Sequence, residues 1–220
     1  DIIRPPSADE RRALQAARRS QDEETLAKVR LMQQERERHD RVQAREIQKW
    51  WLLRMIRTPR PLEEKLTLLW HGHFATSYRT IENSYHMFLQ NQTFRKNAIG
   101  GFDKLLHAII RDPAMLAYLD NNDSKKNKPN ENLARELMEL FGLGVGQYTE
   151  QDIKEGARAL TGYTFEDDQF VLRKNDHDMS AKRILGRSGN LNGEDFVRAI
   201  LAKRACAEFI TRKIYRHFIG

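Results

Sequence analysis

The stretch that decides the fold of this chain is residues 129–146, PNENLARELMELFGLGVG. Pro129 cannot extend a helix backwards, and the side chain of Asn130 is a good N-cap for the free amides of a first turn. Apolar side chains then recur every three or four residues, which is the spacing of one helix face; they are Leu133, Leu137, Leu140 and Phe141. Glycines follow, where a left-handed cap needs a residue without a Cβ. The segment therefore predicts an amphipathic helix that ends near Phe141 and buries these four residues.

The polar face of this predicted helix carries Glu136 and Glu139, three residues apart. Like charges at this spacing destabilise an isolated helix by about 0.2–0.5 kcal/mol, so a compensating partner is expected. In one interpretation Arg135 pairs with Glu139, and Glu136 is solvated. In the other, Glu136, with or without Glu139, is a metal ligand or a general base that faces histidines from elsewhere in the chain. The helix pattern leaves both interpretations open.

The composition of the 220 residues fits one well-buried domain, because 40% of them are hydrophobic. The net charge of +7 is spread along the chain, with Lys and Arg interleaved with acids. Since no nucleic-acid recognition signature occurs either, we expect no direct nucleic-acid binding. No run of about 18 apolar residues occurs, so we expect no membrane span. Cys206 is the only cysteine, which excludes an intrachain disulfide and a cysteine-rich zinc site.

The order of the predicted elements indicates an all-α, bundle-like single domain with a small β insertion. Ser7 and Glu10 have the spacing of a capping box, which opens a charged helical arm over residues 1–46 with few apolar positions. A helical domain follows over residues 47–220. Alternating apolar residues within it predict one β-hairpin or extended segment around residues 163–180.

His71 and His73 are the first candidates for chemistry. Two residues apart on a regular helix, their side chains point about 200° from each other and cannot face one ion. Gly72 changes this argument, because a glycine can break the helix and let both imidazoles converge from a turn. The alternative is that one histidine forms a hydrogen bond within the core and the other packs at its edge.

His177 and Asp178 are the second candidates, in a loop after the predicted hairpin. Imidazoles and carboxylates together suit Zn, Mn or Fe, so a divalent-metal site is predicted. The predicted metal ligands are His71, His73, His177 and Glu139. The predicted catalytic residues are Glu136, Asp178 and Lys182. In this scheme Glu136 would ligate or act as a general base, and Lys182 would stabilise developing negative charge.

From Trp50 onward the chain resembles the DUF1800 family, bacterial proteins named for having no assigned function. The resemblance covers about three quarters of the chain. The segments that carry it are TPRPLEEKLTLLWHGHFATS at 58–77, QN..FR at 90–95, DPAMLAYLDN at 112–121, NENLARELMELFGLGVGQYTEQDIKEGARALTG at 130–162 and HD...K..LG at 177–186. The resemblance implies a mostly helical protein that is often exported and frequently encoded beside a DUF1501 protein. It implies no established reaction.

The chain departs from the family pattern at one position of interest. Many family members resemble ELHTLG where this chain has ELFGLG at residues 139–144, so Phe141 replaces a histidine. Family proteins also generally extend beyond both ends of the present sequence, which predicts that it is part of a longer chain. It begins at Asp1 without a recognisable signal peptide, so the expectation of an exported or cell-envelope location rests on the resemblance.

Two functions are compatible with these residues. The first is a metal-dependent enzyme, hydrolytic or oxidative, that acts on an envelope or extracellular substrate. The second is a non-catalytic helical scaffold that binds a protein such as a DUF1501-type partner through its N-terminal helix and its tryptophans. The enzyme requires nitrogen and oxygen ligands within reach of one metal, whereas the scaffold predicts dispersed polar side chains and an exposed apolar groove.

Overall fold

The fold is mainly helical, as predicted. A computed structural model of the chain describes residues 11, 12, 15, 16, 19 and 23–220. Within these residues ten α-helices occur: α1 Glu23–Arg57, α2 Pro61–His73, α3 Tyr78–Ile81, α4 Ser84–Lys96, α5 Phe102–Ile109, α6 Pro113–Tyr118, α7 Asn132–Glu136, α8 Glu150–Ala159, α9 Gly193–Leu201 and α10 Arg204–Ile219. A 3₁₀ turn covers Asn121–Asp123, and α7 continues as a π-helix over Leu137–Gly142. The predicted capping box of Ser7 and Glu10 lies outside the described residues.

Two small antiparallel hairpins interrupt the helices. The first pairs β1 (Tyr163–Glu166) with β2 (Gln169–Leu172), which confirms the insertion predicted in this region. The second pairs β3 (Lys182–Ile184) with β4 (Arg187–Gly189) and was not predicted. Its turn residues, Leu185 and Gly186, both have positive φ, as a two-residue hairpin turn requires. Leucine is rare in such a position, which explains why the turn signal was weak.

Residues 129–146 form the predicted helix, but its C-terminal half differs from a regular α-helix. The side-chain oxygen of Asn130 accepts a hydrogen bond from the amide of Asn132 at 2.9 Å, but the N-cap of this helix is Glu131, one residue later than predicted. Leu133 and Leu137 are fully buried, but Leu140 is 50% exposed, so its predicted core position was wrong. The reason is the π-helix, whose wider turn shifts the residues after Leu137 around the helix axis. Phe141 stays buried.

The end of this helix packs tightly against its neighbours. The amides of Leu143 and Gly144 both donate to the carbonyl of Met138, at 2.8 and 3.1 Å. Gly144 has a φ of 85°, so the predicted glycine cap is present. A Cβ on Gly142 would lie 2.6 Å from Cγ2 of Ile200, and this close approach joins the helix to α9.

Helix α2 runs without a break through Gly72 to His73. The suggestion that Gly72 lets both histidines converge from a turn was therefore wrong. A glycine permits a break but does not impose one, and the helix continues because its inner face is packed. The residues buried on that face follow one another at intervals of three; they are Glu64, Thr67, Trp70 and His73.

Helix α1 is continuous across residues 46 and 47, and the division into arm and domain at that point stays a prediction. Asp40 attaches this helix to the rest of the fold. Its carboxylate accepts hydrogen bonds from the hydroxyl of Tyr78 at 2.8 Å and from the amide and hydroxyl of Ser84 at 3.0 and 2.6 Å. In the described part of the chain, no helix is long and apolar enough to cross a membrane.

Candidate functional site

The first polar cluster lies between α1, α2 and α4 and is centred on Glu64. This buried carboxylate accepts from the guanidinium of Arg95 at 2.6 and 3.0 Å, from Arg54 at 2.5 Å and from the indole of Trp51 at 2.9 Å. Burial opposes ionisation of Glu64, but these hydrogen bonds outweigh it and hold its pKa at about 2. The cluster is thus an internal ion pair with all its acceptors in use.

His71 belongs to the same cluster. Asn91 accepts from Arg95 at 2.7 Å, and its amide nitrogen lies 3.0 Å from Nε2 of His71. The imidazole packs against the rings of Trp51 and Phe94, with centroids 4.6 and 4.7 Å away. Burial, followed by the charge of Arg95, lowers the pKa of His71 to about 4. The ring is therefore neutral at pH 7, and its Nε2 accepts from Asn91.

His73 lies on a different side of α2 and contacts the π-helix. Its Nε2 donates to the carbonyl of Phe141 at 2.9 Å, and its Nδ1 lies 2.9 Å from Nζ of Lys213. Lys213 also donates to the carbonyl of Leu140 at 3.1 Å. The last carbonyls of a helix have no partner within it, so the two side chains satisfy them and fix α10 in place. Burial and then Lys213 lower the pKa of His73 to about 3.

Glu136 and Glu139 have different surroundings. Glu139 accepts from the hydroxyl of Tyr148 at 2.7 Å. Burial, followed by this hydrogen bond, raises the pKa of Tyr148 to about 12. Oε2 of Glu136 is buried and, among the described residues, has no hydrogen-bond partner. Burial and then the charge of Glu139 raise the pKa of Glu136.

Arg135 does not pair with Glu139, so that interpretation was wrong. Its guanidinium contacts both carboxylate oxygens of Glu150 at 2.9 Å and one oxygen of Glu131 at 3.3 Å. Helical side chains lean towards the N-terminus, which favours Glu131, one turn earlier, over Glu139, one turn later. Glu150 is brought close by the packing of α8 against α7.

The second polar cluster joins α8 to the loop before β3. Nδ1 of His177 donates to the carbonyl of Thr161 at 2.7 Å, and the amide of Asp178 donates to the Thr161 hydroxyl at 2.8 Å. The carboxylate of Asp178 accepts from Arg158 at 2.7 Å and from Ser180. Burial would raise the pKa of Asp178, but Arg158 and Ser180 hold it well below its usual value. Asp178 is therefore a fixed, ionised anchor for this loop.

Lys182 completes the second cluster and is only 3% exposed. Its ammonium group donates to the carbonyls of Asp178 at 2.5 Å and Ser180 at 2.9 Å. Burial lowers the pKa of Lys182. Arg158 forms ion pairs with Glu155 at 2.8 Å and with Asp178 at 2.7 Å. Glu64 was not among the predicted site residues, although its interval of three from Thr67 places it on the buried face of α2.

An open polar cleft of about 960 Å³ lies between α8 and the β3–β4 hairpin. Its lining residues are Gly146, Gln147, Tyr148, Thr149, Gln151, Asp152, Glu155, Ala181, Lys182, Arg183, Leu185, Gly186, Ser188, Gly189 and Lys203. Of the predicted site residues, Lys182 lines it, Glu139 reaches it through Tyr148, and Asp178 reaches it through Lys182. Within the described residues, no three His, Cys, Asp or Glu side chains are placed to hold a metal ion.

A second depression is apolar and lies between α2, the turn after α4, and α10. This groove has a volume of about 420 Å³. Its lining residues are Leu62, Leu66, Trp70, Ala98, Ile99, Gly100, Ile214 and Phe218. The indole nitrogen of Trp70 donates to the carbonyl of Ala98 at 3.2 Å, which fixes the floor of the groove. Leu62 and Ile99 are exposed at its edge.

Comparisons with known proteins give one match. Neither the search of curated proteins nor the search of solved structures found a match to this chain. A family model described as "Protein of unknown function (DUF1800)" matches residues 2–220. The match therefore includes the segment before Trp50 as well as the motifs that contribute to both polar clusters. This chain belongs to the DUF1800 family.

Proposed function

We propose that this chain is a helical scaffold whose apolar groove binds an acidic amphipathic helix of another protein. The observation that carries the proposal is the groove itself, because its side chains are apolar throughout and Ile99 at its edge is 66% exposed. Contiguous apolar surface of this kind marks interaction sites. An amphipathic helix fits because its apolar side chains, spaced by three and four residues, enter such a groove together.

The charge around the groove selects an acidic partner. Helix α10 contains four Lys and Arg residues and one acid, a net charge of +3, and the acid, Glu208, is paired with Arg204. On α2, Nζ of Lys65 lies 4.8 Å from the ring of Phe218 at the groove. The neighbouring acids do not cancel this charge, because Glu64 is buried in its own ion pair and Glu63 pairs with Arg60. Opposite charge on the partner would speed encounter and set orientation.

The family resemblance suggests a DUF1501-type protein as the carrier of such a helix. The same resemblance implies export, so the two proteins would meet in the cell envelope. Neither expectation is needed for the groove to bind an acidic helix, so the experiment identifies the partner without assuming it.

The test is site-specific photo-cross-linking with the full-length protein in the cells that make it. A photoreactive phenylalanine analogue replaces Ile99, and a matched protein carries it at Val145, which is exposed but outside the groove. We expect the Ile99 probe alone to cross-link an acidic, amphipathic segment of a second protein, identified by mass spectrometry. The variants Leu62→Glu and Lys65→Glu should each reduce the yield.

Two results would overturn the proposal. One is cross-linking from Ile99 only to another part of the same chain or to a second copy, which would show that the groove serves assembly of this protein itself. The other is an identical set of products from the Ile99 and Val145 probes, because non-specific contact would then account for both.

We also keep a divalent cation at Glu136 as a second candidate. It is favoured by the buried Oε2 of Glu136, which lacks a partner among the described residues, and by the nearby charge of Glu139. A cation would offset the repulsion between these carboxylates. Elemental analysis of the full-length protein, purified without chelator, should show a stoichiometric metal that a Glu136→Ala variant loses. A metal-free wild-type protein would refute this candidate and the metal-dependent reaction with it.

A further inference from the structure

The polar cleft between α8 and the β3–β4 hairpin shares no lining residue with the apolar groove. Its function is therefore separable from partner binding. The volume of about 960 Å³ is in the range of sites for small organic ligands. Ala181 and Leu185 provide apolar side-chain surface. The side-chain amide of Gln147, the hydroxyl of Ser188 and the side-chain carbonyl of Gln151, whose nitrogen donates to Glu155, provide hydrogen-bonding groups.

The two acidic side chains that line the cleft, Asp152 and Glu155, already accept hydrogen bonds from other parts of the protein. One oxygen of Asp152 accepts from the amide of Leu185 at 2.7 Å, and the other accepts from the amide and hydroxyl of Thr149 at 2.9 and 2.7 Å. Glu155 accepts from Arg158 at 2.8 and 2.9 Å and from the amide of Arg183 at 3.0 Å. Both carboxylates are thus held by internal hydrogen bonds. Glu155 is paired with the charge of Arg158, and the charge of Lys203 acts on Asp152.

The cationic side chains that line the cleft have fewer hydrogen-bond partners within the protein. In the part of the chain that the structure describes, the side chains of Arg183 and Lys203 form no hydrogen bond or ion pair, and both are exposed. Lys182 is almost completely buried, and two of the three N–H groups of its ammonium are donated to carbonyls. The third N–H has no partner among the described residues. A buried, incompletely satisfied cation favours an anionic ligand.

From this distribution we infer that the cleft binds a polyhydroxylated small molecule carrying at least two phosphate or carboxylate groups. One anionic group is held by Arg183, and a second is held by Lys203. Gln147, Gln151 and Ser188 form hydrogen bonds with the hydroxyl groups between them. Phosphorylated sugars and acidic oligosaccharides share this chemistry, and the binding experiment separates them.

The test is isothermal titration of the full-length protein with three probes: fructose 1,6-bisphosphate, a trimer of galacturonic acid and, as a neutral reference, maltotriose. We expect one of the two anionic probes to bind, with an affinity that falls as salt is added, and maltotriose not to bind at about 10 mM. Preference for the bisphosphate would identify a phosphorylated ligand, and preference for the uronic acid trimer an acidic saccharide.

Variants locate the binding site. The double variant Arg183→Gln and Lys203→Gln removes two exposed cations and should weaken binding about tenfold, since each exposed pair contributes up to about fivefold. Its matched control is Arg187→Gln with Lys174→Gln, which removes two exposed cations outside the cleft and should leave affinity within about twofold. Absence of binding by both anionic probes, or equal weakening by both double variants, would overturn the inference. Neither result would affect the cross-linking test of the groove.

Discussion

At the scale of single residues, the polar side chains of the family motifs are engaged mainly with one another. Thr76 donates to Gln90 at 2.6 Å, and Gln90 donates to the buried carboxylate of Asp112 at 2.8 Å. These three residues come from three separate motifs. Together with the clusters around Glu64 and Asp178, they show that residues suited to catalysis by type also serve as internal hydrogen-bonding partners where helices meet.

His73 makes the stability of the protein depend on pH. Its pKa is about 3 when folded, against about 6.5 for an unperturbed histidine. The unfolded chain therefore takes up a proton first as the pH falls below 6.5, and the contribution of His73 to stability is lost between pH 6.5 and 3. In urea unfolding from pH 7 to 5, the wild type should lose about 2 kcal/mol more stability than His73→Gln. Parallel slopes for the two proteins would contradict this.

Glu64→Gln should be strongly destabilising. The substitution leaves the buried guanidinium of Arg95 without its charged partner, and breaking a buried pair in this way costs about 3–5 kcal/mol. The control is Glu63→Gln, the adjacent acid, whose pairs with Arg60 and Arg54 are longer, at 3.5 and 3.6 Å. It should cost less than about 1 kcal/mol. Equal losses in chemical denaturation would show that the Glu64 cluster is not a stabilising centre.

At the scale of elements, some helices are determined by local sequence and others by long-range packing. Helices α8 and α9 begin at full capping boxes, with Thr149 and Asp152 in one and Asn192 and Asp195 in the other. These starts depend on neighbouring residues alone. The π-helix depends on tertiary packing instead, because its free carbonyls are satisfied by His73 and Lys213 from distant elements.

Two glycine-to-alanine substitutions should have opposite effects. A Cβ on Gly72 in α2 would meet no atom within 4 Å, so Gly72→Ala should stabilise the protein by about 0.5–1 kcal/mol through helix propensity. A Cβ on Gly156 in α8 would lie 2.7 Å from the ring of Phe196 and 3.3 Å from Met138. Gly156→Ala should therefore destabilise by about 1–3 kcal/mol. Thermal unfolding of both variants checks the sign, and a shared sign would contradict the packing described.

At the scale of the whole molecule, the long helix α1 is attached to the fold at two places. Trp51 and Arg54 near its C-terminal end reach Glu64, and a set of polar contacts lies near its middle. Asp40 provides three of these contacts, to Tyr78 and Ser84. Gln43 adds a fourth, donating to the hydroxyl of Ser84 at 2.9 Å. Before Trp50 the charged surface of the helix offers little apolar area for burial, so these hydrogen bonds contribute to how firmly its N-terminal half is attached.

Asp40→Ala should loosen α1 without unfolding the core. The loss of these contacts leaves the hydroxyls of Tyr78 and Ser84 without an acceptor, at a cost of about 1–3 kcal/mol. Hydrogen exchange should quicken in the N-terminal half of α1 and at the start of α4, while α5 keeps its protection. Glu46→Ala is the control, since Glu46 forms an exposed pair with Lys49. Unchanged exchange in α1 of the Asp40 variant would show that other contacts hold this helix.

The sequence was sufficient to predict the mainly helical fold, the hairpin at Tyr163 and the helix start next to Asn130, because periodicity, capping and turn preference act between neighbours in the chain. It also showed that His71 and His73 on a regular helix face different ways. Which atoms they contact was decided by the tertiary structure. His73 and Lys213 are 140 residues apart, and their contact exists because α2, the π-helix and α10 pack together. The apolar groove and the polar cleft have the same origin, since each is a space between elements that only the packing of those elements creates.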